Sequence, residues 1–247
     1  MRIHLIVIAS ALLATFNAFA QSSPKDIIPA PVQFEILQGT TNLPDAKDMD
    51  IRIGNKKFLK RIKPYGLEDW QVKSAYYMEL TPKGVRIEAA DNEGFFYAIQ
   101  SAYMMQFVSK DIQCCKILDW PRFRHRGMML DVSRNFQPKE FVKKQLDMMA
   151  LLKMNRFHFH LVDHPGWRIQ IDKYPLLTSF SAWRTKDDWE DWINDGQRFL
   201  NADDPGAHGG FYTKKDIAEI IDYAAERHIE VIPEIEIEEH TSELQSR

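Results

Sequence analysis

The second half of the chain alternates short apolar segments with amphipathic helical patterns, and this alternation restricts the fold more than any other feature. Three segments, at 127–132, 156–162 and 230–237, have the length and apolar content of buried strands. Apolar residues at helical spacing over 138–152 and 213–225 predict a helix before the second strand and another before the third. Strands that alternate with helices in this way form a parallel sheet with right-handed crossovers. The sequence therefore predicts an α/β fold.

Polar residues on two of these strands favour a barrel over a doubly wound sheet. His158 and His160 share one face of the second strand, and Glu234 and Glu236 share one face of the third. Helices cover both faces of a doubly wound sheet, so buried carboxylates there would be costly. In a (β/α)8 TIM barrel one face points inward, toward a site at the carboxyl ends of the strands. Because only three strands are recognisable, we expect a truncated barrel made of the first three βα units of a longer protein.

The pattern over residues 21–119 is different and predicts a small α+β domain ahead of the barrel. Alternating segments at 75–80 and 85–89 are joined by a turn that contains proline and glycine, which suits a hairpin. A helical pattern follows Asp91. We expect the barrel to occupy residues 120–237.

Both ends carry segments that we expect to lie outside the fold. Residues 1–20 combine Arg2, an apolar run and the sequence Ala18-Phe19-Ala20, which is the pattern of a signal peptide for export to the periplasm or beyond. The alternative, a membrane anchor, needs a longer apolar run, so we expect no membrane span after cleavage. Residues 238–247 resemble the translation of a sequencing-library adapter, and we interpret them as a non-native tail.

The charge composition argues against a polyanionic partner. The chain has 32 basic and 35 acidic residues, a net charge of -3, and the basic residues do not cluster. We therefore expect no nucleic-acid partner.

Candidate functional residues follow the predicted strands. Arg134 comes just after the first strand, where a guanidinium could bind two neighbouring hydroxyl groups or form a structural ion pair. His158 and His160 have a spacing that zinc ligands can adopt, and a zinc-dependent amidohydrolase-like barrel is the alternative hypothesis. A hydrogen-bonded structural pair is the other interpretation of these histidines.

Four tryptophans lie in the long segment between the second and third strands, at Trp167, Trp183, Trp189 and Trp192. The flat C–H faces of sugar rings pack on indole, so these residues could form the wall of a sugar subsite. They could equally anchor the segment as local core.

Several motifs in order resemble the start of the catalytic barrel of family 20 glycoside hydrolases, the β-N-acetylhexosaminidases. The motifs are Trp120 to Gly127, Leu130 to Arg134, His158 to Asp163, Gly166 to Arg168, Gly209 to Thr213 and Val231 to Glu236. The preceding residues, with Ile28 to Pro31 and Gly94 to Gln100, are similar to the small α+β domain of the same family.

The resemblance implies removal of terminal β-linked N-acetylglucosamine or N-acetylgalactosamine from oligosaccharides or glycoconjugates, without a metal or other cofactor. Family members use substrate-assisted retaining catalysis, in which the acetamido group of the substrate attacks the anomeric carbon. An adjacent Asp-Glu pair on the fourth strand supplies orientation and the acid. No Asp-Glu sequence occurs in this chain. We therefore expect it to lack the principal catalysts and to be inactive, and a non-catalytic sugar-binding remnant is a further alternative.

By position in these motifs, Arg134, Asp163 and Glu236 are expected to bind substrate, with His160 and His240 as further candidates. Two departures from the family pattern are visible. His164 stands where a second Asp is usual, and Glu238-Glu239-His240 stands where Pro-Gly-His is usual.

Overall fold

The computed structural model describes residues 21–236 and contains two compact units. The first unit runs to Arg124 and includes Leu151–Lys153, and the second comprises His125–Ala150 and the residues from Met154 onward. The predicted signal peptide, the predicted tail and His240 all lie outside the described residues.

The first unit is a mixed sheet with helices. Its strands are β1 (Gln21–Ser22), β2 (Gln33–Thr41), β3 (Asp50–Ile53), β4 (Tyr76–Thr81), β5 (Gly84–Ala89) and β6 (Asp111–Asp119). Its helices are α1 (Lys56–Ile62), α2 (Asp69–Ser74) and α3 (Asn92–Val108). The strand order is β1-β6-β4-β5-β3, and β2 pairs with β6.

The core of this unit forms where α3 meets the sheet. The predicted hairpin is present, because β4 and β5 pair antiparallel as far as Thr81 opposite Gly84. Met78 and Ile87 are fully buried with Tyr97 of α3 in one apolar cluster. The predicted α+β organisation of this part of the chain is therefore what the structure shows.

The second unit contains a parallel sheet and a long connection. Its strands are β7 (Gly127–Asp131), β8 (Arg156–Asp163), β9 (Gly166–Trp167), β10 (Trp183–Arg184), β11 (His208–Gly209) and β12 (Glu230–Ile235). Its helices are α4 (Lys139–Leu151), α5 (Leu176–Ser179), α6 (Trp189–Asn194) and α7 (Lys214–Ala225).

Parallel pairing places β8 at the centre of this sheet, between β7 and β12. The register aligns Asp131 of β7 with His160 of β8, and His160 with Glu234 of β12. Because side chains alternate along a strand, these three residues lie in a row on one face of the sheet, near the carboxyl ends of the strands. The predicted parallel order is confirmed, and it brings the row to the edge where barrel sites form.

The opposite face of β8 is apolar. Phe157 and Phe159 are buried, with their ring centroids 5.0 Å apart, and Phe159 lies 5.2 Å from the ring of Tyr212. Leu146 of α4 and Ile220 of α7 are fully buried as well. Burial of these side chains fixes which face of β8 carries the histidines, since a slip of one residue would exchange the two faces.

One strand differs from its predicted extent. We predicted a strand over 230–237 with Glu234 and Glu236 on one face, but β12 ends at Ile235. The register shifts between Glu234 and Ile235, where Ile235 pairs with Val162 rather than with the residue after His160. Glu236 follows the strand, and its backbone N–H donates to the carbonyl of Val162 at 3.2 Å. The extra residue of this irregularity is Leu161 of β8, so regular pairing of β8 with β12 ends at Glu234.

None of the helices in the described part of the chain combines the length and the apolar character needed to cross a bilayer.

The start of α7 provides a test of how the sequence specifies this unit. Thr213 accepts a hydrogen bond from the N–H of Asp216 at 3.1 Å, and the Asp216 carboxylate accepts one from the N–H of Thr213 at 3.0 Å. This is a capping box. We expect Thr213→Ala to lower the free energy of unfolding by about 1 kcal/mol, measured by urea denaturation. Ser179→Ala, at an exposed helical position, is the matched control, and an equal loss in both variants would contradict the capping role.

Candidate active site

The turn after β7 is built around the carboxylate of Asp131. Its Oδ1 accepts hydrogen bonds from the backbone N–H groups of Ser133 at 3.0 Å and Arg134 at 3.1 Å. Its Oδ2 lies 2.8 Å from Nη1 of Arg134. The same carboxylate therefore folds the turn and holds the guanidinium that the turn carries.

A second carboxylate, from β8, holds the same guanidinium nitrogen. Asp163 Oδ2 lies 2.7 Å from Arg134 Nη1, so Arg134 connects the carboxyl ends of two neighbouring strands. A guanidinium has five N–H donors, and Nη1 lies within hydrogen-bond distance of both carboxylates and of Nε2 of His160. The donors on Nε and Nη2 have no hydrogen-bond partner among residues 21–236, and 39% of the side-chain surface is exposed to solvent. Arg134 is therefore fixed in position with donors that remain open to a ligand.

His160 lies beneath this pair and is enclosed by carboxylates. Its Nδ1 is 2.5 Å from Glu234 Oε2, and its Nε2 is 3.0 Å from Asp163 Oδ2. Each ring nitrogen faces a carboxylate acceptor, which suits an imidazolium that donates from both, and Nε2 also lies 3.1 Å from the Nη1 donor of Arg134. Burial opposes the charge, but the bonds to Glu234 and Asp163 and the nearby charge of Asp131 outweigh it. The pKa of His160 is raised above its usual value as a result.

Glu234 serves two histidines at once. Its Oε2 also lies 2.6 Å from Nε2 of His158, and the hydrogen bond from His160 lowers the pKa of the Glu234 carboxyl. Sequence reasoning placed Glu234 on the inward face but gave it no role. The pairing of β8 with β12 brings Glu234 to His160, and a local sequence motif does not determine strand register.

This geometry bears on the zinc hypothesis for His158 and His160. A ring nitrogen that donates to a carboxylate has no lone pair for a metal ion. Both nitrogens of His160 are engaged in this way, and Glu234 also binds His158. The arrangement favours a hydrogen-bonded pair, and the zinc content of the purified protein would test the metal hypothesis directly.

The structure brings together three of the five sequence-predicted binding residues. Arg134, Asp163 and His160 are in mutual contact at distances of 3.1 Å or less. Glu236 lies just past the end of β12, bonded through its backbone to Val162, the neighbour of Asp163. His240 lies outside the described residues, so its role stays a prediction.

A buried arginine, Arg168, to which the sequence motif gave no role, supports the turn that carries Arg134. Arg168 donates from Nε to the carbonyl of Val132 at 3.0 Å and from Nη2 to that of Ser133 at 2.8 Å. These are the two residues before Arg134. Gly166 makes room for it, since a Cβ there would lie 2.3 Å from Nη2. The glycine and arginine of the Gly166 to Arg168 motif thus position Arg134.

Three of the tryptophans anchor the long connection through their indole N–H groups. Trp167 donates to the carbonyl of Ile169 at 2.5 Å, Trp183 to that of Thr178 at 2.9 Å, and Trp192 to that of Arg198 at 2.9 Å. Trp192 is fully buried and cannot present its face to a ligand. Of the two interpretations of these tryptophans, local core therefore fits Trp192.

His164, the departure from the family pattern, takes part in the same local packing. Its Nε2 lies 2.9 Å from Oε1 of Gln197, and its ring centroid is 5.3 Å from that of Trp192. Its backbone N–H donates to Oδ1 of Asp163 at 2.6 Å. His164 thus links the end of β8 to the long segment between β8 and β12.

Comparison with known proteins agrees with this geometry. Residues 123–246 match the catalytic domain of glycosyl hydrolase family 20, and residues 68–120 match domain 2 of the same family. The chain belongs to glycosyl hydrolase family 20. The resemblance inferred from the motifs is confirmed.

Individual relatives show how much of a family member this chain covers. The chain is 44% identical over 172 residues to a β-hexosaminidase of Vibrio furnissii, which covers 68% of the chain and 27% of the relative. It is 32% identical over 246 residues to a β-hexosaminidase of Akkermansia muciniphila, covering 96% of the chain and 43% of the relative. The chain thus spans less than half the length of these relatives.

The solved structures extend the comparison to the fold. A crystal structure of a β-N-acetylhexosaminidase matches with a TM-score of 0.68 and 31% identity, covering 90% of this chain and 42% of that one. A family 20 exo-β-N-acetylglucosaminidase from Vibrio harveyi, in complex with N-acetylglucosamine, matches with a TM-score of 0.66 and 28% identity over 87% of this chain and 37% of that one. The predicted fold class, part of a TIM barrel preceded by a small α+β domain, is confirmed.

The charge on His160 makes a prediction about stability. Because the pKa of His160 is higher in the folded than in the unfolded chain, its contribution is complete below the unfolded pKa of about 6.5. The contribution is lost as the pH rises through the folded pKa. We expect His160→Gln to lower the free energy of unfolding by about 2 kcal/mol at pH 6, and by less at pH 9. Urea denaturation at both pH values measures this.

The exposed His125 supplies the control for that experiment. His125→Gln should leave the pH dependence of stability unchanged. If His160→Gln and His125→Gln behaved alike, the charged state of His160 would be contradicted.

Proposed function

We propose that this chain contributes part of the sugar-binding site of an exo-β-N-acetylhexosaminidase. The proposed reaction removes terminal β-linked N-acetylglucosamine or N-acetylgalactosamine with retention, assisted by the acetamido group of the substrate. The observation that carries the proposal is Arg134, held by Asp131 and Asp163 at the carboxyl edge of a parallel sheet with donors left open. Family membership and the relatives named β-hexosaminidase support the same reaction class.

In this proposal Arg134 binds hydroxyl groups of the terminal sugar. A guanidinium presents its donors in a rigid fork, which matches two neighbouring hydroxyl oxygens better than the single ammonium of lysine does. Two carboxylates fix Nη1, so the fork loses little rotational freedom when a sugar binds. Asp163, with an acceptor capacity beyond its bonds to Arg134 and His160, could accept from a further hydroxyl.

His160 and Glu234 act in this proposal as positioning residues. Both bonds of His160 hold carboxylates in place, and one of those carboxylates is the partner of Arg134. Glu236, and His240 beyond the described residues, are proposed to border the same sugar site. The proposed mechanism needs no metal or other cofactor, because the substrate supplies the nucleophile.

The acid of the reaction has no counterpart in this chain. The Asp-Glu pair expected from the family resemblance does not occur in its 247 residues. We propose that the chain alone does not turn over substrate, and that it was exported through the Ala18-Phe19-Ala20 cleavage site before folding.

Two assays with 4-nitrophenyl N-acetyl-β-D-glucosaminide test this proposal. The chain alone should release no nitrophenol, and real turnover would contradict the missing-acid part. A chimera that joins residues 123–236 to the remaining catalytic domain of the Vibrio furnissii relative should regain hydrolysis. A folded chimera that cleaves a plain β-glucoside equally well would contradict the proposed substrate class.

Within the chimera, Arg134→Lys tests whether Arg134 binds the sugar. Lysine keeps the charge but loses the fork, and we expect kcat/KM to fall about 10- to 100-fold, the equivalent of roughly one or two charge-assisted hydrogen bonds. Arg198→Lys, at an exposed position in the same unit, is the matched control. Equal values of kcat/KM for the two variants would contradict a role of Arg134 in sugar binding.

A further inference from the structure

The proposed function gives no role to His158, although this residue shares a face of β8 with His160. The register of the sheet sets His158 between Met129 of β7 and Ile232 of β12, and both of these side chains are apolar. The polar contact of His158 is made to the next pair along the strands, where its Nε2 lies 2.6 Å from Oε2 of Glu234. His158 is therefore directed toward the row of ionisable residues.

The carboxylate of Glu234 is held through a single oxygen in the described part of the chain. Oε2 lies 2.5 Å from Nδ1 of His160 and 2.6 Å from Nε2 of His158. A carboxylate oxygen can accept two hydrogen bonds, so each ring takes one of them. Glu234 is 31% exposed and has a flexible side chain, and one hydrogen bond alone would leave its carboxylate free to turn. The two rings together fix its direction.

This contact also assigns a proton to His158. An unprotonated Nε2 would place its lone pair 2.6 Å from those of the Glu234 carboxylate, and the two would repel each other. Nε2 therefore carries a proton, and His158 donates to Glu234. The neutral ring with its proton on Nε2 already makes this bond, so the contact does not require a charge on His158.

A continuous series of hydrogen bonds leads from His158 to the arginine of the proposed sugar site. Glu234 joins His158 to Nδ1 of His160, and Nε2 of His160 lies 3.0 Å from Oδ2 of Asp163. The same oxygen of Asp163 is 2.7 Å from Nη1 of Arg134. Because the imidazole ring is rigid, the carboxylate that holds Nδ1 also determines where Nε2 points.

We propose that His158 is a positioning residue for binding of the terminal sugar. It orients Glu234, and Glu234 orients the ring of His160. His160 in turn supports the pair that Asp163 forms with Arg134. The series of contacts stands on its own geometry, whereas its consequence for sugar binding rests on the proposed function.

Two amide variants of His158 differ in reach by one methylene group. The amide nitrogen of glutamine falls near the place of Nε2, whereas that of asparagine falls near Nδ1 and stays short of Glu234. His158→Gln should therefore keep the hydrogen bond to Glu234, and His158→Asn should lose it. The side chain of His158 is 40% exposed, so neither variant opens a buried cavity.

Isotope-edited NMR of the full chain measures the effect at His160. The short contact between Nδ1 and Oε2 of Glu234 should give a far-downfield, slowly exchanging Nδ1–H proton. This resonance should persist in His158→Gln, and in His158→Asn it should move upfield and exchange faster. The exposed His125→Gln is the control and should leave it unchanged. The same His160 resonance in both His158 variants, whether kept or lost, would overturn the proposal.

Hydrolysis by the chimera measures the consequence for the sugar. Arg134 and Asp163 are proposed to hold the sugar before and during the reaction, so weaker positioning should raise KM more than it lowers kcat. We expect KM to rise about 3- to 10-fold in His158→Asn, the effect of roughly one hydrogen bond, and less than about 2-fold in His158→Gln. Equal KM values in the two variants would overturn the proposal. An inactive chimera with His158 intact would contradict the proposed function instead, and the NMR comparison would then decide the role of His158.

Discussion

Parallel pairing of β7, β8 and β12 is the constraint on which the second unit depends. It sets Asp131, His160 and Glu234 side by side on neighbouring strands, roughly 4.8 Å apart in the pairing direction. Burial of Phe157 and Phe159 on the other face of β8 holds this register, because a slip would bury charge and expose aromatic rings. The apolar core of the unit thus decides where its ionisable residues meet.

Once the row is formed, its charges have to be balanced. Three carboxylates, from Asp131, Asp163 and Glu234, surround the cations Arg134 and His160, and Asp163 Oδ2 contacts both cations. Groups this close to one another are tolerated only when each has a partner of opposite sign.

The sequence predicted the outline of this unit because its periodicities are local. Strand faces, the helix start at Thr213 and the positions of Arg134, Asp163 and His160 follow from patterns a few residues long. The pairing of His160 with Glu234 joins residues 74 apart and depends on register, which no short pattern encodes. The burial of Arg168 and Arg184 was also missed, since arginine in a long connection is normally taken to be exposed. The register shift between Glu234 and Ile235 is an irregularity in pairing that appears only in three dimensions.

The charged state of His160 is the central claim, because it is what allows three carboxylates to share one end of the sheet. Nitrogen-15 NMR of the imidazole ring, recorded at pH 6.5 where a free histidine is half protonated, measures that state directly. The account predicts that both ring nitrogens of His160 carry a proton in most molecules. A spectrum with one protonated and one unprotonated nitrogen would contradict it.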